Sequence, residues 1–138
     1  MSLTSGAYRI STGNGWLRTL EDSKTIVLER TDKPSAADGQ FIWSLKPFDD
    51  YEGFAIVNHN TGHALSAIER EGARVEGEPE SASKFRWSFD HISSDEYQLH
   101  VPNDNLYATA QPGAGEVALH PMGEDLDQTW TLHWVGDF

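Results

Sequence analysis

Cysteine is absent from the 138 residues, which removes disulfides, thiolate nucleophiles and Cys-type zinc sites from consideration. Basic residues are scarce: 10 Lys and Arg stand against 22 Asp and Glu, a formal charge of −12. A surface of that sign repels phosphate backbones, whose recognition depends on clustered cations, and disfavours anionic lipid for the same reason. Its general service is solubility. No apolar run approaches the ~18 residues needed to cross a bilayer. The opening Met1-Ser2-Leu3-Thr4-Ser5-Gly6 lacks the basic and apolar regions of a secretory signal. These absences lead to the expectation of a soluble, cytoplasmic protein with no nucleic-acid partner and no membrane insertion. A sustained 3.6-residue apolar period is also missing, so helices are not expected. Hydrophobic residues nonetheless make up 38% and aromatics 11%, enough for one sizeable core in one domain.

Catalytic patterns are missing as well. Asp49-Asp50 and Glu124-Asp125 are adjacent pairs, whereas glycoside hydrolysis needs two carboxylates facing each other across a cleft about 5–10 Å wide. His59 and His63 flank the turn formers Asn60-Thr61-Gly62 and do not share a helical face as a zinc protease requires. There is no G-x-S-x-G serine and no phosphate-binding glycine loop. The sequence therefore reads as non-enzymatic, with no metal and no cofactor.

What is present is a repeat. Three tryptophans close similar segments, "FIWSL" at Trp43, "FRWSF" at Trp87 and "QTWTL" at Trp130, spaced by 44 and 43 residues. A second series, "AYRIST", "FAIVNH" and "YQLHVP", aligns Ile10, Ile56 and Leu99. A third, "GWLRTL", "GHALSA" and "NLYATA", places Thr19, Ser66 and Thr109 in register. A fourth, "TIVLE", "GARVE" and "EVALH", matches Leu28, Val75 and Leu119. Each unit holds about four short runs, with period-2 alternation clear in Tyr8-Arg9-Ile10 and Tyr97-Gln98-Leu99-His100-Val101. Turn formers separate them, such as Gly13-Asn14-Gly15 and Pro112-Gly113-Ala114-Gly115. The segment "SAIEREGA" fits a hairpin better than a helix. Twelve short strands in three equivalent units predict an all-β fold, a β-trefoil with a six-stranded barrel capped by three hairpins. Its repeats run approximately over 6–48, 52–92 and 95–135. A β-propeller of three blades would not close.

On these residues the chain resembles the ricin B-type trefoils, specifically the small cysteine-free lectins of mushrooms; trefoil protease inhibitors of the mycocypin and mycospin types share the fold. The second repeat, "IVNHNTGHALSAIEREGARVEGEPESASKFRW", follows the pattern most continuously. In galactose-binding members the resemblance implies an aspartate accepting from two sugar hydroxyls, a ring stacked on the pyranose, an asparagine, and a supporting Q-x-W glutamine. Here the aspartate positions are Thr19, Ser66 and Thr109, and the stacking positions Glu29, Glu76 and His120. The asparagine positions lie near Gln40, Lys84 and Asp127, and the glutamine positions are Phe41, Phe85 and Gln128. The third repeat keeps most of the set, so the candidate ligand-binding residues are Asn105, Thr109, His120, Asp127 and Gln128. Trp16, Phe48, Tyr51 and Trp134 offer a second, aromatic platform on another face.

The resemblance implies two functions. One is a defensive fungal-type lectin whose partners are glycans, of galactose or N-acetylgalactosamine type or fucosylated. The other is an inhibitor that inserts one rigid loop into a target protease. Its candidate loops are "TDKPSAADG", stiffened by Pro34, and "EREGA", which presents Arg70 to a trypsin-like pocket.

Overall fold

The computed structural model describes residues 4–20, 24–31, 38–48, 53–80, 85–102, 104–111, 115–123 and 126–136. The first repeat contributes β1 (Gly6–Thr12), β2 (Gly15–Thr19), β3 (Ile26–Glu29) and β4 (Ile42–Pro47). The second contributes β5 (Phe54–Asn58), β6 (His63–Ser66), β7 (Glu76–Pro79) and β8 (Ser88–Ser93). The third contributes β9 (Glu96–His100), β10 (Tyr107–Gln111), β11 (Glu116–His120) and β12 (Trp130–Gly136). A 3-10 turn, Gly39–Phe41, precedes β4.

Alternation decides which side chains enter the core. In β2, Leu17 and Thr19 are buried while Trp16 and Arg18 are half-exposed, the two faces of one pleated strand. Tyr8 and Ile10 of β1 join the core, and Arg9 between them, on the other face of the strand, is buried as well. Antiparallel ladders join β12 to β1, β1 to β4, β4 to β5, β8 to β9 and β9 to β12. The circuit closes where Phe54 and Trp87 exchange backbone bonds of 2.9 and 3.0 Å. These six strands form the barrel; the hairpins β2–β3, β6–β7 and β10–β11 form the cap. The fold is a β-trefoil.

The tryptophans show how the threefold pattern is fixed. Trp43, Trp87 and Trp130 have relative exposures of 0, 0 and 1%. Each lies opposite an aromatic residue on the neighbouring barrel strand, as Tyr8–Trp43, Phe54–Trp87 and Tyr97–Trp130. A buried indole N–H without a partner would cost about 1–3 kcal/mol. Each instead donates to a cap carbonyl: Leu17 at 3.0 Å, Leu65 at 3.1 Å and Ala108 at 3.0 Å. One side chain per repeat thus packs the core and ties barrel to cap.

The cap hairpins also bond to one another. Leu28 N donates to Gly115 O, Gly77 N to Lys24 O and Val75 N to Val117 O, at 2.7, 2.7 and 2.8 Å. At Gly15 the β1–β2 turn demands glycine: φ is +138°, and a Cβ would lie 2.7 Å from the Glu29 carbonyl oxygen.

Candidate functional site

The three indole–carbonyl bonds give a register that does not depend on matching letters. The residues following the accepting carbonyls are Arg18, Ser66 and Thr109. Ser66 and Thr109 stand where the sequence places them, but Arg18 takes the equivalent place in the first repeat, not Thr19. Thr19 matches the other two in its hydroxyl alone; it faces the core and is buried. Arg18 faces the same side as Thr109, since it reaches Gln40 and lies over the Phe41 ring, while Thr109 meets Gln128. The three equivalent positions are filled in three different ways.

In the third repeat the polar groups are turned on each other. Gln128 Nε2 donates to Thr109 Oγ1 at 3.1 Å and to Pro121 O at 3.0 Å, while its Oε1 accepts from Gly123 N at 3.2 Å. The Thr109 hydroxyl donates to Tyr107 O at 2.9 Å. Thr109 and Gln128 are 1% and 2% exposed, so both groups are spent inside the protein. His120 is half-exposed at the end of β11, opposite Tyr107. Asp127 bridges to Ala110 through its backbone, and its carboxylate accepts from Asn14 Nδ2 in the β1–β2 turn. Asn105 is exposed on the turn before β10, its backbone N–H bonded to Asp104. The structure gathers Thr109, Gln128 and the His120–Pro121 backbone into one cluster. The side chains of Asn105 and Asp127 lie outside that hydrogen-bonded set.

In the first repeat the position is closed by an ion pair. Arg18 Nη1 donates to Glu29 Oε1 at 2.7 Å, and Nη2 donates to Gln40 Oε1 at 2.7 Å. The guanidinium carbon lies 5.2 Å from the Phe41 ring centre, a cation–π distance. Glu29, Gln40 and Phe41, which the resemblance matches to two sugar-contacting groups and to the supporting glutamine, are thereby engaged by a fourth residue of the same repeat.

The second repeat is open. A cleft of about 530 Å³ lies between the β6–β7 hairpin and the loop from Ala67 to Ala73, lined in part by Ser66, Ile68, Arg70, Arg74, Glu76 and Glu78. Ser66 and Glu76 are the residues that the resemblance matches to the aspartate and stacking positions. Glu76 and Glu78 are two apart on β7, so both project to one face. Lys24 Nζ is 3.5 Å from Glu76, and Arg74 pairs with Glu116 at 2.7 Å. Ser66 Oγ and the Arg70 guanidinium have no hydrogen-bond partner among the described residues. Ile68, 67% exposed, supplies apolar surface at the edge. The cleft therefore combines carboxylate acceptors, cationic donors, a hydroxyl and a small apolar contact. Residue types alone gave no sign of the concavity, which comes from the course of the Ala67–Ala73 loop.

The aromatic platform divides. Trp16 packs against His133, with ring centres 4.8 Å apart. Phe48 carries Arg86 over its ring at 4.6 Å. Trp134 is half-exposed within β12, in edge contact with Tyr8. Tyr51 lies outside the described residues, as does the loop around Pro34. In "EREGA" the bond from Ala73 N to Arg70 O, 3.1 Å, closes a four-residue turn with Gly72 at φ +84°. Arg70 is exposed on that turn, and Gly72 N anchors it to Leu119 O at 2.7 Å.

No protein-family model and no curated protein sequence matches this chain. Solved structures do. A ricin B-like lectin from Macrolepiota procera, in complex with lactose, superposes with a TM-score of 0.76 at 19% identity, covering 98% of this chain and all of the other. The Rhizoctonia solani agglutinin gives 0.79 at 11% identity, covering 98% and 99%. A proteinase inhibitor from Coprinopsis cinerea gives 0.72 at 13% identity, covering 97% and 100%. The class is thus the β-trefoil, shared in full length with both lectins and an inhibitor.

Proposed function

We propose that the protein is a non-catalytic carbohydrate-binding trefoil that holds a glycan in the second-repeat cleft. The observation that carries this reading is the contrast among equivalent positions: Arg18 and Gln128 fill the first and third, while the second keeps a cleft of about 530 Å³ beside a Ser66 hydroxyl that has no partner among the described residues. Glu76 and Glu78 accept from sugar hydroxyls, and charge assistance strengthens such bonds relative to neutral ones. Arg70 and Lys24 donate to ring and hydroxyl oxygens. Ile68 replaces the stacking ring of galactose-binding trefoils with a smaller apolar contact. A few moderate bonds without stacking give a monovalent dissociation constant on the order of 1 mM. The lectin likeness of the neighbours supports a glycan ligand in general.

The test is a glycan array over galactosides, N-acetylgalactosaminides and fucosylated chitobiose cores, followed by calorimetry on the best ligand. Binding should fall about tenfold or more in the E76Q/E78Q variant, a loss of about 1.4 kcal/mol or more. Signals at background across the array would sink the proposal.

Protease inhibition is the second reading, supported by the anchored Ile68–Gly72 loop and its exposed Arg70. It ranks lower because the Arg70 backbone is folded into a tight turn, whereas a trypsin-like cleft takes an extended segment. Titration of trypsin and papain with micromolar protein decides it: stoichiometric loss of activity would place this reading first.

A further inference from the structure

Arg9 is 7% exposed, and its Nε is fully covered without a hydrogen-bond partner. No carboxylate, carbonyl or ring engages its guanidinium among the described residues. The terminal nitrogens are also unbonded but are not fully covered, since of the three only Nε is both sealed and unsatisfied. An uncompensated charge this deep is costly, which is why buried ions are paired in nearly all proteins. With no pairing carboxylate among the described residues, the side chain presents a planar fork of donors suited to an oxyanion.

Its neighbours extend that chemistry. Tyr8 and Ile10 face the core, so Arg9 and Ser11 share the outer face of β1. Arg9 is paired across the ladder with His133, and Ser11 with Trp16. His133 Nε2 is 3.0 Å from Ser11 Oγ, and its ring packs on Trp16. The three core tryptophans all spend their indole N–H on carbonyls; Trp16 has no such partner among the described residues. A guanidinium and a half-exposed indole, neither with a hydrogen-bond partner among the described residues, therefore share one face of the sheet, linked through His133.

We infer that this outer face of β1, β2 and β12 binds the carboxylate of an acidic sugar, with Arg9 holding the anion and the Trp16 ring lying along the pyranose. Ser11 and His133 position that ring. The inference rests on the reading of the chain as glycan-binding, but it concerns a site separate from the second-repeat cleft.

The experiment compares methyl glucuronide, methyl glucoside and sodium acetate by calorimetry and by acrylamide quenching of tryptophan in the W134F variant, where Trp16 is the remaining half-exposed indole. The glucuronide should bind about tenfold or more tighter than the glucoside or acetate and shield Trp16. E76Q/E78Q should leave this binding unchanged. Arg9→Met should abolish it while melting no lower than the wild type, since an unpaired buried cation is removed; Arg9→Lys should bind weakly. Equal affinity for glucuronide and glucoside, or full glucuronide affinity in Arg9→Met, would overturn the inference. So would acetate binding as tightly as the glucuronide. Glucuronide binding lost in E76Q/E78Q but kept in Arg9→Met would assign the acid to the other cleft and refute this site alone.

Discussion

Replacing Gln128 by alanine separates a scaffold role from a ligand role. The side chain is 2% exposed and makes three bonds of 3.0–3.2 Å, to Thr109 Oγ1, Pro121 O and Gly123 N. Each neutral bond contributes about 1 kcal/mol net. Pro121 and Gly123 are half-exposed, so water can reach the groups left behind, and the penalty for orphaned polar atoms stays near its lower end. Thr109 keeps its bond to Tyr107 O. The expected loss is about 3 kcal/mol, which for a chain of this length lowers Tm by about 10 °C. Thermal melts followed by circular dichroism and by tryptophan fluorescence measure it. Glycan affinity at the second-repeat cleft should not change. A loss below about 1 kcal/mol would refute the reasoning, because it would mean that the amide network does not hold the Pro121–Gly123 segment to β10.

Gly15→Ala should cost about 2–3 kcal/mol, because a Cβ would meet the Glu29 backbone at a φ that alanine rarely adopts; a urea midpoint equal to that of the wild type would contradict this. Tyr8 should make stability fall in alkali. Burial, with a smaller contribution from Tyr97, raises its phenol pKa above 10.0. The folded chain then binds a proton that the unfolded chain releases above pH 10, so stability is intact below that pH and declines as pH rises toward the folded pKa. Tyr8→Phe should show a shallower decline in denaturation midpoints between pH 9 and 11, and an unchanged slope would show that Tyr8 does not carry the effect.

Much of the fold was legible because its determinants are large and repeated. The spacing of Trp43, Trp87 and Trp130 survives in sequence since each must fill the same barrel position and reach the same type of carbonyl. The site was less legible. Matching hydroxyls put Thr19 beside Ser66 and Thr109, but the geometry that matters, the residue after the carbonyl accepting the indole proton, selects Arg18. Gln128 was readable as a retained motif residue, not as a group already satisfied by Thr109 and the Pro121–Gly123 backbone. The openness of the second repeat depends on how the loop after β6 turns at Gly72, which residue types do not report. Arg9 looked like the polar member of an alternating strand. That no acidic partner faces it among the described residues is a property of the packed barrel, invisible until β12 is laid beside β1.

The pairing of β1 with β12, from Ala7–Gly136 to Ser11–Thr131, also governs how the molecule is made. β1 leaves the ribosome long before β12, one of its ladder partners. At typical translation rates the wait between them is on the order of ten seconds, during which Tyr8 and Ile10 have no closed barrel to enter. Long-range closure of this sort is slow in refolding as well, in the range of milliseconds to seconds. Acidic residues outnumber basic ones by 22 to 10 in the full chain, so full-length chains whose barrel has not yet closed repel one another. Charge thus guards the interval between synthesis and closure.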